Sequence, residues 1–353
     1  MDGLLVVIGV AAMFLVLIAP HEAGHFALAK LFKVRVIEFS IGAGTRLWSM
    51  TRGGTLYAIR ALPILGYVRM GGMEGGDFDE PNGFHTKPAW QRILILAAGP
   101  AANFVVAMVL YTGLMLSQVN SDPGRVAAVI PDSPAAAVGF QTGDRLLTVE
   151  GRQITAPDQL RKAENAAPNA AIVVSGIHPN GQRFTFIVTP KCDAEGKSCQ
   201  MGLKVMALLS TRDAVVAGVT FPAVAVTNIV QGLSQLVTGH VPGGLFGPNG
   251  VTGPIGIADV AAQSVSLGFG TYIFFVALLS VALGFTNLLP LLALDGGRVV
   301  VVLIEVVRRR PFDRAAELNF QRVGFAALLG LAALISALDI QRIATGQFPG
   351  LQH

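Results

Sequence analysis

The sequence predicts a multi-span α-helical membrane protein with four transmembrane helices, a membrane-associated β-hairpin region and one inserted α+β domain. Two observations carry this prediction. Charged residues make up only 14% of the 353 residues and apolar residues 52%, whereas soluble proteins average about 25% charged residues. The scarce charges also leave several long charge-free runs and gather in one hydrophilic block after residue 121. A disordered chain or an ordinary soluble globule is therefore excluded.

Four charge-poor runs are long enough to cross a bilayer core of about 30 Å, which requires about 20 helical residues. We predict spans at about residues 3–31, 93–118, 271–294 and 322–341. The predicted regions are a membrane part (1–121, with a cytoplasmic-side hairpin and loop at 32–92), the hydrophilic block (122–208), an amphipathic helix with a Gly/Pro loop (209–258), and a second membrane part (259–353).

The run Ala214–Val237 leaves two interpretations open, a helix on the membrane surface or a fifth span. It carries no charge, but it contains Pro222 and Asn228 and precedes a segment rich in Gly and Pro. We favour the surface position, because a fifth span would place Arg308–Arg310 outside.

The basic residues predict the orientation. Lys30–Arg92 contains nine basic and five acidic residues, and six arginines lie between Arg298 and Arg322. Because basic residues are retained in the cytoplasm, we expect both connecting segments there, and both termini and the hydrophilic block outside.

A metal-binding pattern follows the first apolar run. Residues 21–25 read H-E-A-G-H. On a helix, His21 and His25 share one face, so both imidazoles can bind one Zn²⁺. Glu22 lies beside that face, where it can accept a proton from an activated water. The alternative is a pair of structural histidines, but a carboxylate at the end of a membrane helix is costly and indicates function.

Asp295 is the candidate third ligand. Catalytic zinc has three protein ligands and one open position, and Asp295 is the acidic residue near the cytoplasmic end of the third span. A helix cap at the membrane edge is the alternative role. Other histidines lie outside, at a chain end or in a Gly/Pro-rich loop, and are weaker candidates: His85, His178, His240 and His353.

Pro290 and Asn287 precede Asp295 in the same segment and predict a broken helix at the site. Pro290 removes a backbone donor and interrupts the helix. Asn287 places an amide in an apolar run, where it could position a substrate backbone or fix the broken helix.

The segment after the first span predicts a β-hairpin. Val34–Phe39 and Thr55–Ala61 are rich in β-forming residues, with Gly53 and Gly54 between them. The next stretch, LPILGYVRM, contains Gly66 and Tyr67 and could bind an unwound substrate by strand addition. A structural hairpin without substrate contact is the alternative. The Gly-rich loop at 70–83 is either a gate or an inert linker.

In the hydrophilic block, short apolar stretches alternate with turns. SPAAAVGFQTGDRLLTVEG at 133–151 is typical of a PDZ-like α+β domain. Such a domain captures a C-terminal carboxylate or limits substrate size, and the sequence leaves both open. Cys192 and Cys199 have a spacing that suits a disulfide across a hairpin in an oxidising compartment, with two free thiols as the alternative.

Together these residues resemble the site-2 protease family of intramembrane zinc metalloproteases, within it the bacterial regulator-of-sigma-E (RseP) type. The resemblance rests on residues 21–25, on the Asn287–Gly296 segment and on four further stretches: FSIGAGTRLW at 39–48, LPILGYVRM at 62–70, AGPAAN at 98–103 and GPIGI at 253–257. It implies that His21, His25 and Asp295 hold one Zn²⁺ per chain and that Glu22 is the general base. Pro20, next to His21, departs from many relatives.

The resemblance implies an intramembrane zinc metalloendopeptidase of the bacterial inner membrane, with periplasmic termini and an active site toward the cytoplasm. Expected substrates are single-span proteins already cut in their ectodomain, such as anti-sigma factors, and remnant signal peptides. A metal-binding membrane transporter and an inactive PDZ-bearing scaffold are the alternatives. The slight basic excess does not indicate nucleic acid.

Overall fold

The computed structural model describes residues 2–73, 80–166, 168–193, 199–240, 244, 247, 250–291 and 293–348. The chain divides into two compact units. Met1–Leu114 and Ala217–His353 form the first, called here the membrane unit, and Met115–Val216 form the second, called the outer unit. The domain boundaries predicted above stay predictions. Residues 74–79 of the predicted loop at 70–83 and His353 lie outside the described residues.

The membrane unit begins with the long helix α1 (Asp2–Leu31), which continues through Pro20. It packs closely against α2 (Ala89–Ser117): a Cβ at Gly24 would lie 2.3 Å from the carbonyl oxygen of Ala98. The ring centroids of Phe32 and Trp90 lie 5.3 Å apart, so the end of α1 adjoins the start of α2 and the two helices are antiparallel.

Two long strands, β1 (Val36–Arg52) and β2 (Thr55–Met70), follow α1 and precede α2 in the chain. They meet at Gly53 and Gly54, whose φ values of 58° and 73° suit a tight hairpin turn. The prediction of two short strands was wrong in extent, because LPILGYVRM belongs to β2. Both strands bend, helped by positive φ at Gly42 and Gly44.

The bend changes the pairing of the sheet. Ser40 is paired with both Ala58 and Tyr67, so residues 38–41 lie between residues 56–59 and residues 66–69. Within the described pairings, residues 66–69 pair only with β1. This part of β2 is therefore an edge of the sheet.

The outer unit contains a four-stranded sheet in the order β5-β4-β6-β7. Its elements, in chain order, are β3 (Val126–Val129), α3 (Pro134–Val138), β4 (Arg145–Val149), β5 (Arg152–Gln153), α4 (Gln159–Ala166), β6 (Ile172–Ile177), β7 (Arg183–Val188), β8 (Lys191–Cys192), β9 (Cys199–Gln200) and β10 (Leu203–Val205). A buried core that includes Leu146, Leu160 and Val174 fills it. This architecture is the α+β type that the sequence predicts.

Five helices complete the chain: α5 (Thr211–Val237), α6 (Pro254–Ser266), α7 (Phe269–Leu288), α8 (Asp295–Arg308) and α9 (Arg314–Ala344). Among the described residues, five helices are long and apolar enough to cross a membrane: α1, α2, α5, α7 and α9. The predicted count of four spans is therefore not confirmed, since the segment placed on the surface is one of the five.

Candidate metal centre

One face of α1 supplies two of the three predicted ligands. His21 and His25 are both buried, and their Nε2 atoms lie 3.2 Å apart. The i, i+4 spacing on an unbroken helix places the two rings together. At this distance the two nitrogens either share one proton in a hydrogen bond or direct both lone pairs at one cation.

Asp295 reaches the same point from the first turn of α8. Its Oδ2 lies 3.3 Å from His21 Nε2 and 3.3 Å from His25 Nε2. Donor atoms on two corners of a tetrahedron lie about 3.3 Å apart when the metal bonds are about 2.0–2.1 Å. The triangle therefore has the spacing that a tetrahedral zinc ion with one open position would require.

The backbone around Asp295 explains why an aspartate can reach this point. Helix α7 ends at Leu288, as Pro290 predicts, and α8 begins at Asp295 instead of continuing the span. A Cβ at Gly296 would lie 2.3 Å from the carbonyl oxygen of Leu289. Only glycine lets the start of α8 pack this closely on the end of α7.

A hydrogen bond to α2 orients one of the three candidate ligands. His25 Nδ1 lies 2.7 Å from the carbonyl oxygen of Ile95 on α2. A carbonyl accepts only, so Nδ1 carries the proton and Nε2 presents its lone pair to the site. Gly99 is required beside this ring, because a Cβ there would lie 2.3 Å from His25 Nε2.

Glu22 lies between the metal ligands and the edge of the sheet. A Cβ at Gly66 would lie 2.9 Å from Glu22 Cγ and 2.8 Å from Ile18 Cγ2. The absence of a side chain at residue 66 lets β2 pass directly beside Glu22. Gly66, predicted as a substrate-positioning residue, therefore brings an edge strand to the candidate base.

A cavity of about 800 Å³ opens onto these residues. Glu22, the two histidines and Asp295 line it, and so do Asn287 and residues 65–70 of β2. Leu96 of α2 and Arg298 of α8 also line the cavity. Most of the remaining wall is apolar and comes from α1, α6 and α7: Met13, Phe14, Leu17, Ile18, Ile257, Leu279, Ala282 and Leu283. Such a wall suits an apolar segment better than a hydrated ligand.

Two predicted positioning residues are already engaged within the chain. Asn287 Nδ2 donates to the carbonyl oxygen of Leu283 at 3.0 Å, which steadies the end of α7. The Tyr67 hydroxyl donates to Glu38 Oε1 at 2.7 Å, and Arg60 donates to the same oxygen at 2.8 Å. Tyr67 therefore has a structural role in the sheet as well as a place at the cavity.

The weaker histidine candidates lie elsewhere. Burial, together with the nearby Arg314, lowers the pKa of His85 to about 3. His178 Nδ1 lies 2.7 Å from Asp144 Oδ1 in the outer unit. Within the described residues, the only group of His, Cys, Asp or Glu side chains that could hold a metal is His21, His25 and Asp295. Cys192 and Cys199 are joined by a disulfide.

The sequence reasoning missed a buried ion pair on α9. Asp339, fully buried, accepts hydrogen bonds at 2.9 Å from the backbone N–H groups of Gly253 and Gly256 at the start of α6. Arg342 lies 3.5 Å from Asp339 and donates to the carbonyl oxygen of Val251. A buried charge in an apolar helix was the available signal.

Comparisons with known proteins agree with this chemistry. The family model for peptidase family M50 matches residues 9–331. A Clostridium perfringens protein named as a zinc metalloprotease is 32% identical over 338 residues, covering 93% of this chain and 96% of its own. The zinc metalloproteases RasP of Bacillus licheniformis and Shouchella clausii are each 28% identical, covering 96% and 94% of this chain and 99% and 98% of theirs.

One solved structure covers 25% of this chain and 90% of its own, the PDZ domain of an SdrC-like protein from Listeria monocytogenes. It is 16% identical, with a TM-score of 0.22. That score assigns no fold to the outer unit, so the PDZ-like character stays a prediction.

Proposed function

The chain belongs to peptidase family M50 and is a zinc metalloendopeptidase of the membrane, and we propose that it cleaves single-span proteins within their transmembrane segments. The observation that carries this proposal is the convergence of His21, His25 and Asp295 at 3.2–3.3 Å on an apolar cavity. A soluble peptide would gain little from such a wall, whereas an apolar helix unwound at one point would fill it.

We propose that His21 Nε2, His25 Nε2 and Asp295 Oδ2 hold one zinc ion. When bound, zinc supplies Lewis acidity, which makes the scissile carbonyl more electrophilic and water a better nucleophile. The three donors match the His and carboxylate set of catalytic zinc sites and leave one position open.

Glu22 moves the proton. Its carboxylate accepts a proton from the attacking water and later gives it to the nitrogen of the leaving amine. Glu22 is half-buried in the cavity wall beside Gly66, close to the three donor atoms that line the same cavity.

The edge of β2 holds the substrate. A transmembrane helix hides its peptide bonds within its own hydrogen bonds, so it must unwind before hydrolysis. Residues 66–69 lie at the edge of the sheet and also line the cavity. They offer backbone partners to an extended substrate strand, and Asn287 contributes to its position.

The proposed cellular setting follows the sequence expectations. We place the protein in a bacterial inner membrane, with the outer unit and both termini in the periplasm and the metal toward the cytoplasm. The substrates are membrane proteins whose ectodomain has already been shortened, such as anti-sigma factors, and remnant signal peptides. The outer unit, as a PDZ-like domain, excludes intact ectodomains.

The test uses the full chain in proteoliposomes with a tagged single-span substrate. The Glu22→Gln variant should keep its zinc and lose cleavage, and Glu150→Gln, which changes an exposed carboxylate of the outer unit, should cleave normally. Mass spectrometry should locate the cut within the apolar segment. A substrate with an intact ectodomain should be cut much more slowly than a shortened one. Unchanged cleavage by Glu22→Gln would refute the proposed function.

A further inference from the structure

A positively charged side chain of α8 lines the cavity beside the metal ligands. Arg298 lies three residues after Asp295 on the same helix. Residues at i and i+3 lie on the same face, so the helix that delivers the third ligand also delivers a guanidinium to the same space. Arg298 is half-buried and is part of the cavity wall.

Most of the hydrogen-bonding capacity of Arg298 is unused. Its Nη2 donates to Gln321 Oε1 on α9 at 2.8 Å, and no other hydrogen bond of this side chain is found in the part of the chain that the structure describes. A guanidinium has five N–H donors. Four therefore remain for a ligand in the cavity.

Other polar side chains of the cavity wall include Asn287 of α7 and Tyr67 and Arg69 of β2. The Tyr67 hydroxyl donates to Glu38, and Asn287 Nδ2 donates one of its protons to Leu283. Asn287 is also neutral. Arg298 is the charged donor on the element that begins with Asp295, so its position is fixed relative to that ligand by the helix itself.

Peptide hydrolysis creates a need for such a donor. When the water oxygen bonds to the carbonyl carbon, the π-electron pair of the carbonyl moves onto its oxygen and the water proton moves to Glu22. The carbonyl then re-forms as the C–N bond breaks, and the amine nitrogen takes the proton from Glu22. Negative charge thus builds on one oxygen near the Asp295 carboxylate, while Glu22 holds the proton.

We propose that Arg298 donates N–H groups to the scissile carbonyl oxygen as this charge develops and is a catalytic residue. This inference rests on the proposed function, because it assumes a peptide bond in the cavity. A preorganised donor aimed at the developing charge acts mainly on the rate of the chemical step rather than on substrate binding.

The competing explanation is that Arg298 only ties α8 to α9 through Gln321. Four variants separate the two roles. Arg298→Gln removes the charge, and Arg298→Lys keeps it without the planar fork. Gln321→Leu removes the tie and leaves the guanidinium in place. Arg308→Gln changes an exposed arginine at the other end of α8 and serves as the matched control.

The measurements are kcat and KM on the shortened substrate in proteoliposomes, with bound zinc determined for each variant. Removing one such donor costs about 10²–10³-fold in rate, so Arg298→Gln should lose that factor in kcat, with KM within about threefold and zinc retained. Arg298→Lys should recover part of the loss. Gln321→Leu and Arg308→Gln should stay within about threefold of wild type.

A binding readout does not depend on turnover. In the Glu22→Gln background, photo-crosslinking of the substrate to a probe placed at Leu65, an exposed residue of the cavity wall, should be equal with Arg298 and with Arg298→Gln. The inference is overturned if Gln321→Leu loses as much as Arg298→Gln, if Arg298→Gln keeps its kcat, or if its loss lies in KM or crosslinking. In each of these cases, cleavage by the wild type together with no cleavage by Glu22→Gln would still support the proposed function.

Discussion

Arg92 Nη1 donates to Glu305 Oε2 at 2.6 Å and joins the first turn of α2 to the end of α8. At the opposite end of the bundle, the Tyr272 hydroxyl donates to the carbonyl oxygen of Gly9 at 2.8 Å and joins the start of α7 to the start of α1. Asp295, which follows α7, lies beside His21 and His25 in the second half of α1, so helices α1 and α7 run in the same direction. The ends of α1 and α8 lie on the side where α2 begins.

This pairing limits how the chain crosses the membrane. Since α2 is antiparallel to α1, it ends on the side where α7 begins, so the chain from α2 to α7 makes no net crossing. Helix α5 packs on α2, with the rings of Tyr111 and Phe221 stacked at 4.1 Å. If α5 crosses fully, residues 238–268 must cross back, and α6 alone, with 13 residues, is only about 20 Å long. The contacts therefore favour an even number of membrane crossings between the end of α2 and the start of α7.

Membrane-impermeant thiol labelling tests this arrangement. In a Cys192→Ser, Cys199→Ser background, single cysteines at Lys33 and Arg309 should be labelled from one side of sealed vesicles. Cysteines at Leu4 and Leu267 should be labelled from the other side. Labelling of Leu4 and Leu267 from opposite sides would contradict the parallel placement of α1 and α7.

Loss of a metal ligand should release zinc. His25→Ala and Asp295→Ala each leave two protein donors, and we expect bound zinc to fall at least tenfold in purified protein, measured by elemental analysis after dialysis against a weak chelator. His240→Ala, which removes an exposed histidine at the end of α5, is the control and should keep its zinc. Full zinc occupancy in Asp295→Ala would show that a different third ligand is used.

The sequence predicted this site because its signals are local. His21 and His25 are four residues apart on one helix, and Asp295 is an isolated acid in an apolar stretch. Asp339 and Arg342 escaped prediction because their partners are backbone groups of a distant segment, Val251–Gly256. When a side chain of one helix caps the start of another, as Asp339 of α9 does for α6, the periodic pattern of the sequence does not reveal it.

The hairpin shows a similar limit on prediction from local sequence. Gly53 and Gly54 mark the turn, but strand length depends on pairing partners that single residues do not reveal. The predicted second strand ended at Ala61, whereas β2 continues through LPILGYVRM to Met70. The bend at Gly42 places residues 38–41 between two segments and stabilises the extension.

A methyl group at residue 66 should disturb Glu22. The Cβ of Gly66→Ala would lie 2.9 Å from Glu22 Cγ, so either the strand or the base must shift. Because small displacements of a reacting group can cost up to about 10²-fold in rate, we expect at least a tenfold loss of kcat with zinc retained. Gly113→Ala, where no atom lies within 4 Å of the new Cβ, should cleave normally. Equal activity of the two variants would show that β2 moves aside without displacing Glu22.

Removal of Asp339 should destabilise the membrane unit. Asp339→Ala leaves two N–H groups of α6 without their acceptor and Arg342 without its buried partner. Breaking a buried pair costs about 3–5 kcal/mol, which should appear as a lower midpoint of thermal unfolding in detergent. Asp339→Asn keeps an acceptor oxygen and should lose less. Asp259→Asn on α6 is the control, and an equal loss there would argue against a specific cap.

The outer unit should respond to pH through Glu164. This side chain is 5% exposed, and its Oε1 accepts a hydrogen bond from the Met201 N–H at 2.8 Å. Burial raises its pKa above the ordinary value near 4.5, although the hydrogen bond opposes the change. The folded unit then binds the proton more readily than the unfolded chain, so the contribution of Glu164 to stability falls as pH rises through the folded-state pKa.

Glu164→Gln removes this titration and keeps an oxygen for Met201. Compared with wild type, the variant should gain stability as the pH rises from about 4.5 to 7, because only the wild type then buries a charge. Pulse proteolysis of the full chain at cleavage sites within 115–216 measures the stability of the outer unit at each pH, and the difference between the two proteins cancels the other titrating groups. A difference that stays constant with pH would show that Glu164 ionises equally in the folded and unfolded states.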